Sequence, residues 1–242
     1  MKIKVTAYHN GEEIEDYVAF EKDMELVIND SPVATIKLSP GYEKEFALGY
    51  CLGEGFISGL CDVKKIVMGE NSIHIDVRES KAERERYISS ECLSGWRTRI
   101  KKGIEVESDL KVKSSEIIEN MKEMQRKSKV WKLTGGVHSS ALVIDGEVIV
   151  IEDVSRHVTI DKLLGIGLKR NIDFTKSYIL TSGRIPGDMV TKIAEADIPL
   201  AATRTAVLYS GIEVARKSGI TLVGFVRKRN MNIYTCRERV VV

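Results

Sequence analysis

The feature that most constrains this chain is an alternation that begins near residue 142. Leu142-Val143-Ile144, an Asp145-Gly146 turn and the apolar run from Val148 to Ile151 have the pattern of a hairpin. Segments 158–169, 188–196 and 206–217 then carry the periodicity of amphipathic helices. The short apolar runs 178–180, 198–202 and 221–226 stand between and after them. A strand that is apolar throughout must be covered on both faces. The pattern therefore predicts a buried, partly parallel sheet with helices packed against it.

The first 113 residues follow a different grammar. Ile3, Val5 and Ala7 alternate up to an Asn10-Gly11 turn. Met24, Leu26 and Ile28 alternate up to Asn29-Asp30-Ser31-Pro32, and Ala34, Ile36 and Leu38 up to Pro40-Gly41. These are antiparallel strands. A helix is expected over about 42–54, with Phe46 and Tyr50 on one face and Gly53 and Gly55 at its end. Strands follow around Ile66 and across Ile73, Ile75 and Val77, which puts His74 on the polar side. A further helix over 115–127 carries Ile117, Ile118, Met121 and Met124 as its apolar stripe. The expected organisation is a β-rich N-terminal subdomain, 1–113, followed by an α/β domain, 114–242. There is no internal repeat and no low-complexity segment.

Between residues 78 and 113 the pattern dissolves. A charge run at 81–86 leads to Ser89-Ser90-Glu91-Cys92-Leu93-Ser94-Gly95, and then to Arg97, Arg99, Lys101 and Lys102. The stretch reads either as a mobile linker or as a mobile loop that presents one thiol beside positive charge, a setting that favours thiolate. The other cysteines, Cys51, Cys61 and Cys236, read as small structural residues. No CxxC pair exists, which excludes a zinc ribbon or a thioredoxin-type motif.

A formal net charge of +2 gives no global basic field, so no nucleic-acid partner is expected and any anion site must be local. No apolar run approaches the ~20 residues that span a bilayer, and the N-terminus lacks the apolar core of a signal peptide. The expected location is cytoplasmic, with reduced thiols and no membrane partner.

Ligands of such sheets bind where strands end and helices begin. Those junctions carry Thr134-Gly135-Gly136-Val137-His138, Glu152-Asp153 with Arg156-His157, Ser182-Gly183-Arg184, Thr203-Arg204-Thr205, and Arg227-Lys228-Arg229-Asn230. Paired glycines let backbone approach a ligand, and each guanidinium offers a planar fork suited to phosphate. Arg156 alone could merely pair with Glu152 or Asp153. The set of cationic loops together favours a polyanion, such as a nucleotide or a pterin phosphate, over a simple charged surface. His138 and His157 can orient groups or move protons, or be structural. A P-loop, the full dinucleotide fingerprint, the metal ligands of zinc deaminases and a GxSxG elbow are all absent, and no metal site is expected.

These junction residues resemble the FdhD/NarQ family, the formate dehydrogenase accessory sulfurtransferases. The resemblance is carried by Thr134-Gly135-Gly136-x-His138, Glu152-Asp153-x-x-Arg156-His157, Asp161-Lys162-x-x-Gly165, Ser182-Gly183-Arg184, Lys192, Asp197-Ile198-Pro199, Thr205-Ala206 and Gly219-x-Thr221-Leu222-x-Gly224-Phe225-x-Arg227, up to Asn232-x-Tyr234. Ala47-Leu48-Gly49-Tyr50, Glu54-Gly55 and the Pro40 turn extend it into the N-terminal half.

The resemblance implies a cytidine-deaminase-like mixed sheet with flanking helices, a β-rich N-terminal subdomain and often a homodimer. It implies relay of sulfur from a cysteine desulfurase to the bis-molybdopterin guanine dinucleotide cofactor, with molybdenum or tungsten, before formate dehydrogenase receives it. Guanine nucleotide is then a possible mimic of the cofactor. The segment matching the family's nucleotide site is Phe225, Val226, Arg227, Lys228, Arg229 and Asn230, joined here by Gly135, Gly136, His138, Arg156, Arg184 and Arg204. The persulfide carrier is expected to be Cys92. The family's loop normally carries a CxxC pair, whereas this one holds a single cysteine, with Ser94 near the place of the second. One thiol can carry a persulfide but cannot form a resolving disulfide. The stretch 183–188 also departs from the family's Ser-Arg-x-Ser-x-Glu pattern. A cofactor-binding chaperone without sulfur chemistry is the alternative, and a nucleoside-type hydrolase is a third reading that the missing metal ligands disfavour.

Overall fold

A computed structural model describes residues 1–78, 84–88, 96–100 and 104–242. The chain opens with an antiparallel hairpin, β1 (Lys2–His9) and β2 (Glu12–Ala19), turned at Asn10-Gly11 as the sequence predicts. Next come β3 (Lys22–Ile28), β4 (Ser31–Leu38), helix α1 (Glu43–Gly53), β5 (Val63–Met68) and β6 (Ser72–Val77). These four strands form one sheet in the order β4-β3-β6-β5, and His74 is exposed on β6 as expected. The stretch read as patternless contains a second hairpin, β7 (Arg84–Ile88) and β8 (Trp96–Ile100). Charge dominates its composition there, which hides the strand alternation. Cys92 and Ser94 lie outside the described residues.

The C-terminal part contributes β9 (Val112–Lys113), α2 (Ser114–Lys127), α3 (Lys129–Thr134), β10 (His138–Ile144), β11 (Glu147–Asp153), α4 (Arg156–Lys169), β12 (Tyr178–Thr181), α5 (Gly187–Glu195), β13 (Leu200–Thr203), α6 (Tyr209–Lys217), β14 (Thr221–Arg227), β15 (Asn230–Ile233) and β16 (Val240–Val241). Six of these strands make the main sheet in the order β11-β10-β12-β13-β14-β15. The pairs β12/β13 and β13/β14 are parallel, and the others are antiparallel. The expected mixed α/β architecture is therefore present.

Strand alternation explains the two cores. Leu142, Ile179, Ala201 and Leu222 face one side of the sheet and pack with α1, α4 and α5. Their neighbours Ala141, Val143, Leu180, Leu200, Ala202 and Val223 face the other, where α2 lays down Ile117, Met121 and Met124. The first core continues into Met24, Leu26, Ile73 and Ile75 of the N-terminal sheet, so one apolar interior runs beneath both sheets.

Helix α1 reaches α4 at backbone distance because of two glycines. A Cβ on Gly49 would collide with the carbonyl of Asp161, and one on Gly165 with the carbonyl of Glu45. The crossing buries lysines that the sequence did not mark as internal. Lys192 is ion-paired with Asp161 and lies 3.1 Å from Glu54, all of them buried. Lys162 pairs with Asp153.

Two features depart most from the sequence reading. Helix α6 begins at Tyr209 rather than near 206, because the backbone at Ala206–Leu208 bonds to Ile185 instead: Ile185 N donates to Ala206 O, and Leu208 N to Ile185 O. Helix α3 was not anticipated. Two N–H groups of its first turn, of Val130 and Trp131, donate to the two carboxylate oxygens of Glu152, more than twenty residues further along the chain.

Candidate functional site

The strand directions bring the suspected junctions to one edge. β12, β13 and β14 run parallel, so their C-terminal ends share that edge. β10 is antiparallel to β12, which puts its first residue, His138, there too, and β11 returns Asp153 opposite His138. Strands scattered over ninety positions thus deliver one row of loops.

Hydrogen bonds lock the loops together. Ser182 N donates to Ser139 O, and Ser139 N to the Ser182 hydroxyl. Thr203 Oγ1 donates to Gly183 O at 2.6 Å and accepts from Thr205 N. Phe225 N donates to Thr205 O, and Arg227 Nε to Arg204 O at 2.9 Å. A register shift between Gly224 and Arg227, with Phe225 at φ 54°, bends β14 there. Such a bulge re-aims the following side chain. It places the Arg227 guanidinium carbon 5.5 Å from the centre of the Phe225 ring.

Two cavities open on this edge. The larger, about 690 Å³, is lined by Gly135, Gly136, His138, Arg204, Arg227 and Trp131, together with Val137, Val154, Ser182 and Thr205. The smaller, about 300 Å³, includes Arg156, His157, Ser155 and Lys37, and shares His138 and Val154 with the first. His138 therefore sits between them. Burial, and then the charge of Arg184, hold its imidazole below the ordinary histidine range, so it is neutral near pH 7. Arg156 is likewise pushed down, by burial first and then by Arg184.

The expected residues divide clearly. Gly135, Gly136, His138, Arg204 and Arg227 line one cavity, and Arg156 lines its neighbour. Arg184 is exposed and lines neither, although its charge reaches His138 and Arg156. Lys228 and Arg229 form the exposed turn from β14 to β15, and Asn230, also exposed, opens β15 opposite Arg227. The Val226 side chain is 1% exposed in the core against α2, so only its backbone can face a ligand. Glu152 caps α3 and Asp153 pairs with Lys162, so both carboxylates considered for Arg156 are engaged elsewhere. His157 is buried, with Nε2 3.2 Å from Asp188 Oδ2.

Reading the sequence alone missed Trp131, Val154, Ser155, Lys37 and Glu21. The first lies on the unanticipated helix, and the others carry no signal until the loops are assembled. Cys51 is buried, as a structural thiol should be, but Cys61 is exposed in the turn at Leu60–Asp62. No group of three or more metal-ligating side chains occurs among the described residues.

The arrangement suits an anion that also carries a ring system: guanidinium groups, a neutral imidazole, glycine backbone and an indole converge on one concave surface. Comparison with known proteins identifies the family. Residues 19–241 match the model of the FdhD/NarQ family. The chain is similar to the sulfur carrier protein FdhD of Methanothermobacter thermautotrophicus, 36% identical over 94% of this chain and 93% of that one. The namesake from Sulfolobus acidocaldarius is 35% identical over 99% and 98%. A crystal structure assigned by name as a formate dehydrogenase accessory protein of Desulfotalea psychrophila superposes with a TM-score of 0.80, at 25% identity, covering 100% of this chain and 99% of that one. The chain belongs to the FdhD/NarQ family.

Proposed function

We propose that the protein is a sulfur carrier for formate dehydrogenase maturation. It receives sulfur from a cysteine desulfurase and passes it to a bis-molybdopterin guanine dinucleotide held at the sheet edge. The observation that carries this reading is the 690 Å³ cavity where Arg204, Arg227, His138 and Gly135-Gly136 converge, in a chain whose relatives are named sulfur carriers. Its donors fit the cofactor's phosphates and heterocycles as cargo, whether the metal is molybdenum or tungsten.

In the relay, the Cys92 thiolate takes the terminal sulfur of the desulfurase's persulfide, and the desulfurase is released as a thiolate. Holding the cofactor at the cavity limits the search that the carried sulfur must make. With a single cysteine in its segment, no internal disulfide resolves the persulfide: its outer sulfur passes to the cargo, Cys92 leaves as a thiolate, and the two electrons that bring the sulfur to the sulfide level come from the cargo's reduced metal. A cytoplasmic homodimer that hands the cargo to the formate dehydrogenase catalytic subunit completes the reading.

Intact-mass analysis after incubation with a cysteine desulfurase and cysteine should show one added sulfur, absent from Cys92→Ala. Full maturation of formate dehydrogenase in cells by Cys92→Ala would overturn the relay. The second reading, a chaperone that binds the cargo without sulfur chemistry, is motivated by the single cysteine of the segment. It requires guanine-nucleotide binding that survives Cys92→Ala, no added sulfur, and loss of binding in Arg227→Ala.

A further inference from the structure

Trp131 is one of two tryptophans in the chain and has no role in the reading above beyond lining the cavity. Its backbone is held firmly. The N–H donates to Glu152 Oε1 at 2.8 Å, and the carbonyl accepts from Gly135 N at 2.8 Å, closing α3 onto the glycine pair. The preceding N–H, of Val130, takes the other oxygen of the same carboxylate. Yet the residue remains 43% exposed on the cavity wall.

A large aromatic side chain on a held backbone but left wet forgoes the stabilisation that burial gives. Covering it is available to whatever fills the cavity. On the same surface, Arg227 Nε is tied to Arg204 O, which sets two guanidinium-bearing loops side by side. The neutral imidazole of His138 stands at the junction with the smaller cavity. One aromatic plate on a fixed backbone and two neighbouring cations make a two-part recognition surface. A flat heterocycle satisfies the first part and a phosphate chain the second.

We propose that Trp131 is the stacking platform for the ligand's heterocyclic ring, so that the ring lies on the indole while its phosphates lie at Arg204 and Arg227. This rests on reading the cavity as a nucleotide site, and goes beyond it by assigning which wall reads the base. Glu152 becomes a positioning residue, acting through the backbone of α3. A protein surface docking on Trp131 and its exposed neighbour Leu133 is the competing use of the same patch.

The test uses the full-length protein with guanosine diphosphate and, separately, pyrophosphate. In Trp96→Phe, where Trp131 is the remaining tryptophan, guanosine diphosphate should quench the indole fluorescence and pyrophosphate should not. Trp131→Ala should weaken guanosine diphosphate binding roughly 5- to 150-fold and leave pyrophosphate binding unchanged, and Trp131→Phe should restore most of the loss. A melting curve matching wild type certifies each variant. Unchanged guanosine diphosphate affinity in Trp131→Ala, alongside loss in Arg227→Ala, overturns the platform and leaves the nucleotide cavity standing. That outcome favours the docking surface. No binding of guanosine diphosphate to wild type overturns the cavity reading, and the platform with it.

Discussion

Lys162 Nζ lies 2.7 Å from Asp153 Oδ2, and the two side chains are 1% and 0% exposed. The pair is the hub of the loop that lines both cavities. Lys162 also donates to Ser39 O at 2.8 Å. Asp153 accepts from Ser39 N through Oδ2 and from Ser155 N through Oδ1, while Val154 N donates to the Ser39 hydroxyl. The end of β4, the end of β11 and the start of α4 are thereby fixed as one unit, and Val154 and Ser155 take their places on the cavity walls.

Removing one partner of a buried pair leaves an uncompensated charge, which typically costs about 3–5 kcal/mol. Lys162→Met should show a loss of that order in denaturant unfolding, and Lys162→Met with Asp153→Leu should recover part of it. Burial pushes the Asp153 carboxyl up, against the pull of Lys162. In the single variant the pull of Lys162 is gone, and the upward push is opposed only by the backbone N–H groups of Ser155 and Ser39. The penalty is then full above the raised folded value and is relieved as pH falls through it, because the folded state takes up the proton first. A Lys162→Met protein whose deficit does not shrink on acidification would contradict this assignment.

The crossing of α1 and α4 depends on two residues without side chains. Gly49→Ala and Gly165→Ala each drive a methyl group into the facing helix backbone, which cannot yield as a flexible side chain would. Each should lower stability by about 1–3 kcal/mol or more. Gly146→Ala makes a control: its Cβ meets nothing, although its φ of 79° still strains an alanine. Thermal melts of the three variants distinguish a steric cost at the crossing from a purely conformational one.

His138 should make ligand binding sensitive to pH. Its folded value lies below the ordinary 6.5, through burial and then Arg184. In the free protein its stability contribution is complete above the unfolded value, and is lost as pH falls through that value towards the folded one. A phosphate in the cavity offsets the charge of Arg184 and raises the imidazole again. Binding then takes up a proton, and guanine-nucleotide affinity rises as pH falls from about 7.5 to about 6. Calorimetry in buffers of different ionisation enthalpy reads the proton directly. His138→Gln should flatten the profile, and an unaltered slope would remove His138 from the site.

The thiols should separate by accessibility. Cys61 is exposed, with Sγ 3.9 Å from Asp62 Oδ1, whereas Cys51 is sealed in the core. Peptide mapping after iodoacetamide treatment of the folded protein should find Cys61 modified and Cys51 protected until denaturant is added. Equal labelling of the two would mean that α1 opens far more readily than its packing implies. The same map identifies any sulfur that a desulfurase places on Cys61 instead of Cys92.

Periodicity is a local property, and what it encodes was legible without coordinates. The apolar runs and amphipathic segments gave the mixed sheet, most helix positions, the Asn10-Gly11 hairpin and the outward face of His74, because each follows from neighbours a few positions apart. The cationic loops were legible for the same reason: a strand end, a glycine and an arginine are adjacent in the chain. Tertiary structure decided the rest. It turned Val226 into the core, left Arg184 outside both cavities, gave Glu152 to the N-terminus of α3, buried Lys162 against Asp153, and buried Lys192 among carboxylates from distant elements. It also brought Trp131 to the wall where Arg204 and Arg227 converge. None of these follows from periodicity, because a side chain's partner is set by strand order and helix crossing. Those are fixed only when the two sheets close over their common core.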